Sequence, residues 1–303
     1  MAVDVWVGVD GSQPATEAVR VAATVARALG WGLTVAAVDV TAGGYGPYGI
    51  TTEHLDRQMQ AVLAEALAQA RTVAEAEGTA AATRVLKADA PAGLWDRAAA
   101  GPALCAAAGA AQAALLVVGS GGHGLAATVL LGSVSDYLAN RCPIDLLVVR
   151  PGSRPRAPVL AGTDGSPAGM RAVRRAAVLA RALGQPLVIA TISEPSRTEE
   201  VLRRAQPDLG RTVDDLLRRD RAAILEAAQA AAAEAGAPVV SVREAVGPAA
   251  PALVELAQNA ECGWLVVGSH GHSGWTSHVL LGSVSDRLLH LSPLPVWIVR
   301  EGA

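Results

Sequence analysis

A run of glycine and serine residues between positions 119 and 135 has the composition best suited to chemistry. Its members are Gly119-Ser120-Gly121-Gly122-His123-Gly124 and, further along, Gly132-Ser133-Val134-Ser135. Glycines allow backbone N–H groups to approach an anion closely, and a helix start adds unpaired N–H donors and a partial positive charge. The hydroxyl groups of Ser133 and Ser135 are further donors. The run therefore predicts a phosphate cradle that contains no lysine.

A purely structural interpretation of the same run stays open, in which the glycines form strand-to-helix turns and the serines cap a helix.

Two better-known phosphate loops are disfavoured. No GxxxxGK[ST] sequence occurs, which excludes a P-loop NTPase. Gly119-x-Gly121-x-x-Gly124 matches the dinucleotide-binding pattern, but it follows the fourth predicted strand instead of the first. The first turn carries the Asp10 carboxylate where a pyrophosphate would lie, which argues against a Rossmann dehydrogenase.

The chain repeats itself, and the cradle sequence occurs in both copies. Val7–Ser12 returns as Ala161–Ser166, 154 residues later, and Leu130–Asp136 returns as Leu280–Asp286, 150 residues later. Three prolines and a glycine between the copies indicate a linker. The predicted organisation is one domain at 1–150, a linker at 151–158 and a second domain at 159–303.

Each copy alternates between strand and helix patterns. The predicted strands are 3–9, 33–40, 83–86, 115–118 and 146–149 in the first copy, and 159–163, 187–192, 239–243, 264–267 and 296–299 in the second. The predicted long helices lie near 53–77 and 213–235, with shorter ones beginning at Ser133 and Ser283. Apolar strands separated by helices are typical of a parallel sheet that is covered on both faces. We therefore predict two tandem α/β domains, each a five-stranded, mostly parallel, Rossmann-like sheet.

The helix after each first strand has clear boundaries in the sequence. Ser12 and Ser166 stand where they would cap its N-terminus, and Gly30 and Gly184 where they would end it. In the first copy Ala18, Ala22, Val25 and Leu29 recur at helical spacing and predict the buried face.

Composition narrows the partners. With a net charge of −3 and a pI near 6.1, the chain does not have the excess of basic residues that is typical of a nucleic-acid or membrane-surface binder. The uncharged stretch 98–122 is mostly alanine and is broken by glycines, so it predicts a buried helix and a strand, not a membrane span. Three widely spaced cysteines without a CxxC pair, and no basic leader, predict reduced thiols in a cytoplasmic protein. Almost all basic residues are arginine, which indicates a bacterial source with a GC-rich genome.

The spacing Gly119-x2-Gly122-x9-Gly132-Ser133, followed by Val134-Ser135, resembles the ATP-binding motif of the universal stress proteins. Asp10 at the end of the first strand fits that family as well. Because the resemblance covers both halves, the chain looks like a tandem universal stress protein with an adenine-nucleotide α-hydrolase-like fold. In the second copy ten residues, not nine, separate Gly271 from Gly282, which makes that site the less regular one.

The resemblance implies where an ATP molecule, with Mg²⁺, would bind. The adenosine end would meet Asp10 and the backbone around Gly8 and Val38. The ribose and α-phosphate would lie along Val118, Gly119 and Gly122, and the outer phosphates would meet Gly132, Ser133, Val134 and Ser135. The matching residues of the second copy are Gly162, Asp164, Thr191, Val267, Gly268, Gly271, Gly282, Ser283, Val284 and Ser285.

The function that follows is a regulatory stress-response protein that senses ATP through one site in each domain. No Ser-His-Asp order and no metal-spaced His/Cys cluster appears in the sequence, so no catalytic residue is assigned. His123 and His270 follow the fourth strands, where either could hydrogen-bond a phosphate, and a solvated loop position is the favoured interpretation. The alternatives are a nucleotide-free module that binds a protein partner, and an enzyme of slow ATP hydrolysis or adenylyl transfer.

The resemblance also implies a mode of association. The last strands of such domains pair across dimer interfaces, so 144–149 and 295–299 are expected to pair within one chain. Such a pseudo-dimer leaves open a further homodimer and an unidentified protein partner.

Overall fold

The computed structural model describes residues 3–40, 52–88, 99–121, 131–194, 199, 201, 204–237, 239–271 and 281–300. These residues form two compact units. Unit 1 contains the described residues up to 155 together with 281 and 292–300. Unit 2 contains those from 156 to 271 together with 282–291. The last segment of the second sequence repeat therefore belongs to the unit that the first repeat builds.

Strands and helices alternate along the described chain. The strands are β1 (Asp4–Val9), β2 (Gly32–Asp39), β3 (Ala82–Lys87), β4 (Leu115–Gly119), β5 (Asp145–Val149), β6 (Val159–Gly162), β7 (Leu187–Ser193), β8 (Val239–Val246), β9 (Trp264–Gly268) and β10 (Val296–Val299). The helices are α1 (Gln13–Leu29), α2 (Thr52–Ala76), α3 (Ala100–Ala110), α4 (Ser133–Arg141), α5 (Pro167–Leu183), α6 (Pro207–Glu234), α7 (Ala249–Asn259) and α8 (Ser283–Leu291). The predicted elements are confirmed, with α6 beginning earlier than expected because Pro207 and Asp208 suit a first helical turn.

The sheet of unit 1 has the order β3-β2-β1-β4-β5-β10. Its strands are parallel up to β5, and β10 runs antiparallel to β5 with Trp297 opposite Leu147. In unit 2 the order is β9-β6-β7-β8, all parallel. The α/β class and the pairing of the last strands are therefore as predicted.

The prediction of five strands in each domain is corrected to six in unit 1 and four in unit 2. The reason lies in β5, whose residues are all buried, so its outer edge requires a neighbouring strand. Strand β10 supplies that neighbour and is itself fully buried. The Asp145 carboxylate, on the first residue of β5, also accepts from the Trp297 indole N–H of β10 at 3.1 Å and from the backbone N–H of Arg300, just after β10, at 2.8 Å.

The helices pack in pairs on the sheets. In unit 1, α1 lies beside α2 and α3 beside α4; in unit 2, α5 lies beside α6 and α7 beside α8. Ala18, Ala22 and Val25 are fully buried on α1, whereas the predicted Leu29 at its end is only half-buried. Within the described parts of the chain, no helix is both long and apolar enough to cross a membrane.

The predicted helix boundaries after β1 and β6 are confirmed. The Ser12 hydroxyl accepts from the Ala15 N–H at 3.3 Å, and the Ser166 hydroxyl accepts from the Gly169 N–H at 3.1 Å. Gly30 and Gly184 end the helices with φ angles of 67° and 63°, the left-handed conformation that glycine tolerates best. Helices α1 and α5 therefore start at the carboxyl ends of β1 and β6 with fixed geometry.

Candidate functional site

In each unit the strand order reverses beside the first strand of the repeat. In unit 1, β1 lies between β2 and β4; in unit 2, β6 lies between β7 and β9. Open parallel sheets bind ligands beyond the carboxyl ends of their strands at such a point. Asp10 follows β1, and Asp164 lies just beyond β6, so both carboxylates occupy this position.

Each aspartate closes a tight turn into the following helix. One oxygen of Asp10 accepts from the Ser12 N–H at 3.0 Å, and one oxygen of Asp164 accepts from the Ser166 N–H at 3.0 Å. The intervening glycine has a φ of +77° in the first unit and +81° in the second, which L side chains rarely adopt. The turn fixes the carboxylate in place. Asp10 is exposed and Asp164 is half-buried.

The glycine that ends the fourth strand of each repeat lies against this turn. A Cβ atom on Gly119 would come within 2.6 Å of the Pro14 carbonyl oxygen. On Gly268 it would come within 2.7 Å of the Ala168 carbonyl carbon. Only a residue without a side chain allows the strand end and the helix start to approach this closely. These two glycines thus bring the loop after the fourth strand next to the aspartate turn.

Backbone hydrogen bonds hold the start of the next helix to the same loop. In unit 1 the Gly132 N–H donates to the Ser120 carbonyl at 3.1 Å, and the Ser135 hydroxyl donates to the Gly119 carbonyl at 2.8 Å. In unit 2 the Ser269 carbonyl accepts from the Gly282 N–H at 2.8 Å and from the Ser285 hydroxyl at 3.0 Å.

These bonds correct two expectations about the serines. Gly132, and not a serine, is the N-cap of α4, and no side chain caps it. The hydroxyl hydrogens of Ser135 and Ser285 are used on backbone carbonyls, so these buried serines position the helix and do not supply free donors. The first-turn N–H groups of a helix have no intrahelical partner. Together with the exposed Ser133, they make up a set of donors at a helix N-terminus, where the helix dipole favours negative charge.

The remaining predicted residues lie around this centre. Gly8 and Gly162 sit in β1 and β6, where a Cβ would lie 2.9 Å from Leu104 and 3.1 Å from Leu253 respectively, so both serve packing. The side chains of Val118, Val267 and Thr191 are buried, so a ligand could contact mainly the backbone of these residues. Val38, Val134 and Val284 are half-buried. Ser283 is exposed at the start of α8. Gly122, His123 and the loop that holds the extra residue of the second copy lie outside the described residues.

In the second unit a histidine lies next to the backbone of the cradle, near Gly282. His270 follows Ser269, and its Nδ1 lies 3.0 Å from the Ser269 hydroxyl. Its Nε2 is buried and has no hydrogen-bond partner within the described residues. His270 as a whole is half-buried, so the histidine predicted to be solvated is only partly accessible. The loop also places Gly271 against the aspartate, because a Cβ there would be 2.4 Å from an Asp164 carboxylate oxygen.

Sequence reasoning did not single out the buried arginines that end β5 and β10. Arg150 and Arg300 are 4% and 2% exposed. Burial lowers the pKa of both guanidinium groups from its usual value. The signal was present, since both arginines stand at the same place in the two sequence repeats.

Comparison with known proteins identifies relatives of both repeats. The profile of the Universal stress protein family matches residues 1–150 and 156–300. A universal stress protein of Mycolicibacterium smegmatis is 31% identical over 98% of this chain and 96% of its own length. Another, from Mycobacterium tuberculosis, is 34% identical over 204 residues, and this match spans 63% of each chain.

A solved structure shares the fold. The crystal structure of a universal stress protein from Archaeoglobus fulgidus matches with a TM-score of 0.64 at 17% identity, covering 99% of this chain and 98% of that one. At this level of identity the likeness concerns the fold alone.

Proposed function

The chain belongs to the universal stress protein family, and from that premise we propose that each repeat binds an adenine nucleotide, ATP with Mg²⁺. One observation carries the proposal. In both units a fixed carboxylate, a glycine-ended strand and a helix N-terminus meet at the reversal of strand order. Negative phosphates suit the helix end, and a carboxylate suits a neutral sugar with hydroxyl donors.

The two ends of the site would take different parts of the nucleotide. Asp10 or Asp164 would accept hydrogen bonds from the adenosine end, beside the backbone of β2 or β7. The first-turn N–H groups of α4 or α8, with the exposed Ser133 or Ser283, would bind the outer phosphates. Mg²⁺ keeps most of its water ligands and binds phosphate oxygens, so it would enter with ATP.

Binding and release, not turnover, would be the function. The described groups of the cradle are backbone donors, serine hydroxyls, a carboxylate already fixed in a turn and, in the second unit, His270. The donors favour a bound anion and the carboxylate favours the neutral sugar, so nucleotide occupancy would be the signal that a protein partner reads. The proposal places the protein in the cytoplasm, where ATP is available.

Titration calorimetry with Mg-ATP tests the proposal on four proteins: wild type, Asp10→Ala, Asp164→Ala and the double variant. We expect two sites in the wild type, one in each single variant and none in the double variant. Asp220→Asn, which changes an exposed carboxylate on α6, is the matched control and should keep both sites. Unchanged binding in the double variant would refute the proposed sites. ATP hydrolysis well above background would refute the binding-only role.

A further inference from the structure

Two of the three cysteines lie in contact although they are far apart in the sequence. Cys105 is on α3, and Cys142 is the residue that follows α4. The two thiols share a hydrogen bond, and none of the three cysteines is in a disulfide. The contact follows from helix packing, because Gly101 on α3 lies against the Tyr137 ring on α4, where a Cβ would come within 2.7 Å. Cys105 lies one helical turn beyond Gly101 on α3, and Cys142 directly follows α4, five residues after Tyr137.

The two thiols differ in access. Cys142 is completely buried, whereas Cys105 is partly exposed. A small reagent from solvent therefore reaches the pair at Cys105. The buried partner is then the group that completes the reaction.

The surroundings of Cys142 favour its charged form. It accepts the hydrogen bond of Cys105 and one from the backbone of Ile144, and the buried Arg300 guanidinium adds positive charge. The hydrogen bond from Cys105, helped by these groups, lowers the pKa of the Cys142 thiol from its usual value. Donating that bond, together with burial, raises the pKa of Cys105. The pair thus consists of a proton donor and a proton acceptor.

We propose that Cys105 and Cys142 form a redox-active dithiol that hydrogen peroxide converts to an intramolecular disulfide. The Cys105 sulfur attacks one peroxide oxygen while its proton passes to Cys142, the O–O bond breaks, and Cys105 becomes a sulfenic acid with loss of hydroxide. The Cys142 sulfur then attacks the Cys105 sulfur and displaces the hydroxyl group, and its own proton completes water. The two sulfurs are oxidised, and one peroxide is reduced to one water molecule and one hydroxide ion, which takes a proton from solvent to give the second water. A small thiol restores the pair by exchange.

The proposal concerns the first repeat alone. At the matching positions the second repeat has Val254 and Ser292, which have no thiol. The third cysteine, Cys262, is buried, and its sulfur lies 3.8 Å from the Ala260 carbonyl. Cys262 therefore provides the control within the same chain.

Counting thiols after peroxide treatment tests the proposal. The full-length protein is treated with hydrogen peroxide, quenched with catalase, denatured and alkylated, and its mass and peptides are measured. We expect a loss of two of the three thiols, a mass decrease of two hydrogens and a peptide that links Cys105 to Cys142. Dithiothreitol should restore all three thiols. Cys262→Ser should leave the two-thiol loss unchanged.

Single variants separate the two roles. In Cys142→Ser, Cys105 should oxidise more slowly because its proton acceptor is lost, and the sulfenic acid that forms should persist and react with a 1,3-dione probe. Cys105→Ser should show little oxidation at Cys142. A native protein that keeps three thiols, or links through Cys262, would overturn the proposal. Disulfides only between chains would overturn it as well. Each variant is first compared with the wild type by circular dichroism, and the wild-type result stands independently of them.

Discussion

The two cradles share one backbone arrangement but differ in how closely side chains surround it. Asp10 is exposed and has Gly121 in the nearby loop, whereas Asp164 is half-buried and has His270 at the corresponding position. The helix that starts at the aspartate also differs. Where α1 has Ala15, α5 has Gly169, and a Cβ there would lie 2.9 Å from an Asp164 oxygen. The second cradle is therefore the closer-packed of the two.

The turn beneath each carboxylate shows the same difference. A Cβ on Gly165 would lie 2.8 Å from Ile224 of α6, whereas one on Gly11 would have only Ala66 of α2, at 3.6 Å. Thr163 adds a further bond, because its hydroxyl accepts from the Gly165 N–H at 3.1 Å where the first unit has Val9. The comparison teaches that two repeats can keep the same backbone arrangement while the side chains around it diverge. The following predictions test how far this holds.

The largest expected effect concerns Asp145, which begins β5. The residue at the corresponding position of the second repeat is Pro295, just before β10. Asp145→Ala removes the carboxylate that accepts hydrogen bonds from the Trp297 indole N–H and the Arg300 backbone N–H. Both buried donors then lose this acceptor. We expect the free energy of unfolding to fall by about 3–5 kcal/mol, as for other broken buried charge pairs. Urea denaturation followed by tryptophan fluorescence measures it.

Pro295→Ala is the control for that experiment. This buried residue precedes the strand and accepts none of these bonds, so we expect a smaller loss of about 1–2 kcal/mol, from packing alone. Equal losses in the two variants would contradict the assignment of Asp145 as the anchor of β10.

Gly119→Ala and Gly268→Ala test whether the two cradles share their scaffold. In both, the new Cβ meets backbone atoms of the neighbouring helix start, which cannot move aside as a flexible side chain can. We expect each variant to lose about 1–3 kcal/mol of stability, a typical cost of overpacking. Gly109→Ala, in α3 with nothing within 4 Å of the new Cβ, should instead be neutral or stabilising. A large loss in only one cradle would show that the scaffolds differ.

Much of this scaffold was predictable because it rests on local rules. Ser12 and Gly30 bound α1 through capping preferences that act within a few residues, and the apolar run at β4 allows only a buried strand. Because the chain is duplicated, the same predictions applied to the second repeat. The place of Asp10 at the strand end followed from the same local pattern.

Long-range contacts were beyond such reasoning. The pairing of Cys105 with Cys142 depends on how α3 packs on α4, and no spacing rule relates them. The roles of Ser135 and Ser285 were misjudged for the same reason, because the carbonyls that their hydroxyls bond belong to another element. The pairing of β5 with β10 was predicted, but from the family resemblance and not from local sequence rules.

Replacing His270 tests whether the closer-packed cradle uses its extra side chain. If Nε2, which is buried and without a partner among the described residues, donates to a bound phosphate, then His270→Gly removes a charge-assisted hydrogen bond. We expect affinity for Mg-ATP at the second site to fall about tenfold, or roughly 1.5 kcal/mol. Titration calorimetry in the Asp10→Ala background measures that site alone.

The converse change, Gly121→His in the Asp164→Ala background, shows whether the first site gains from a histidine. Unchanged affinity in His270→Gly would mean that the histidine only fills space. Unchanged unfolding of His270→Gly would confirm that the loss is one of binding.

The smallest expected effect concerns the two capping serines and sharpens the comparison at its most local level. Ser12→Ala and Ser166→Ala each remove an acceptor for one first-turn N–H, at 3.3 and 3.1 Å respectively. We expect each to cost about 1 kcal/mol in urea denaturation. Asparagine, which also accepts at an N-cap, should restore most of the loss. Because both caps lie in the same Asp-Gly-Ser turn, the two losses should agree closely even though Asp10 is exposed and Asp164 is half-buried. A clearly larger loss at Ser166 would mean that the closer packing around Gly165 and Gly169 depends on the cap, and the scaffold would then not be independent of its side chains.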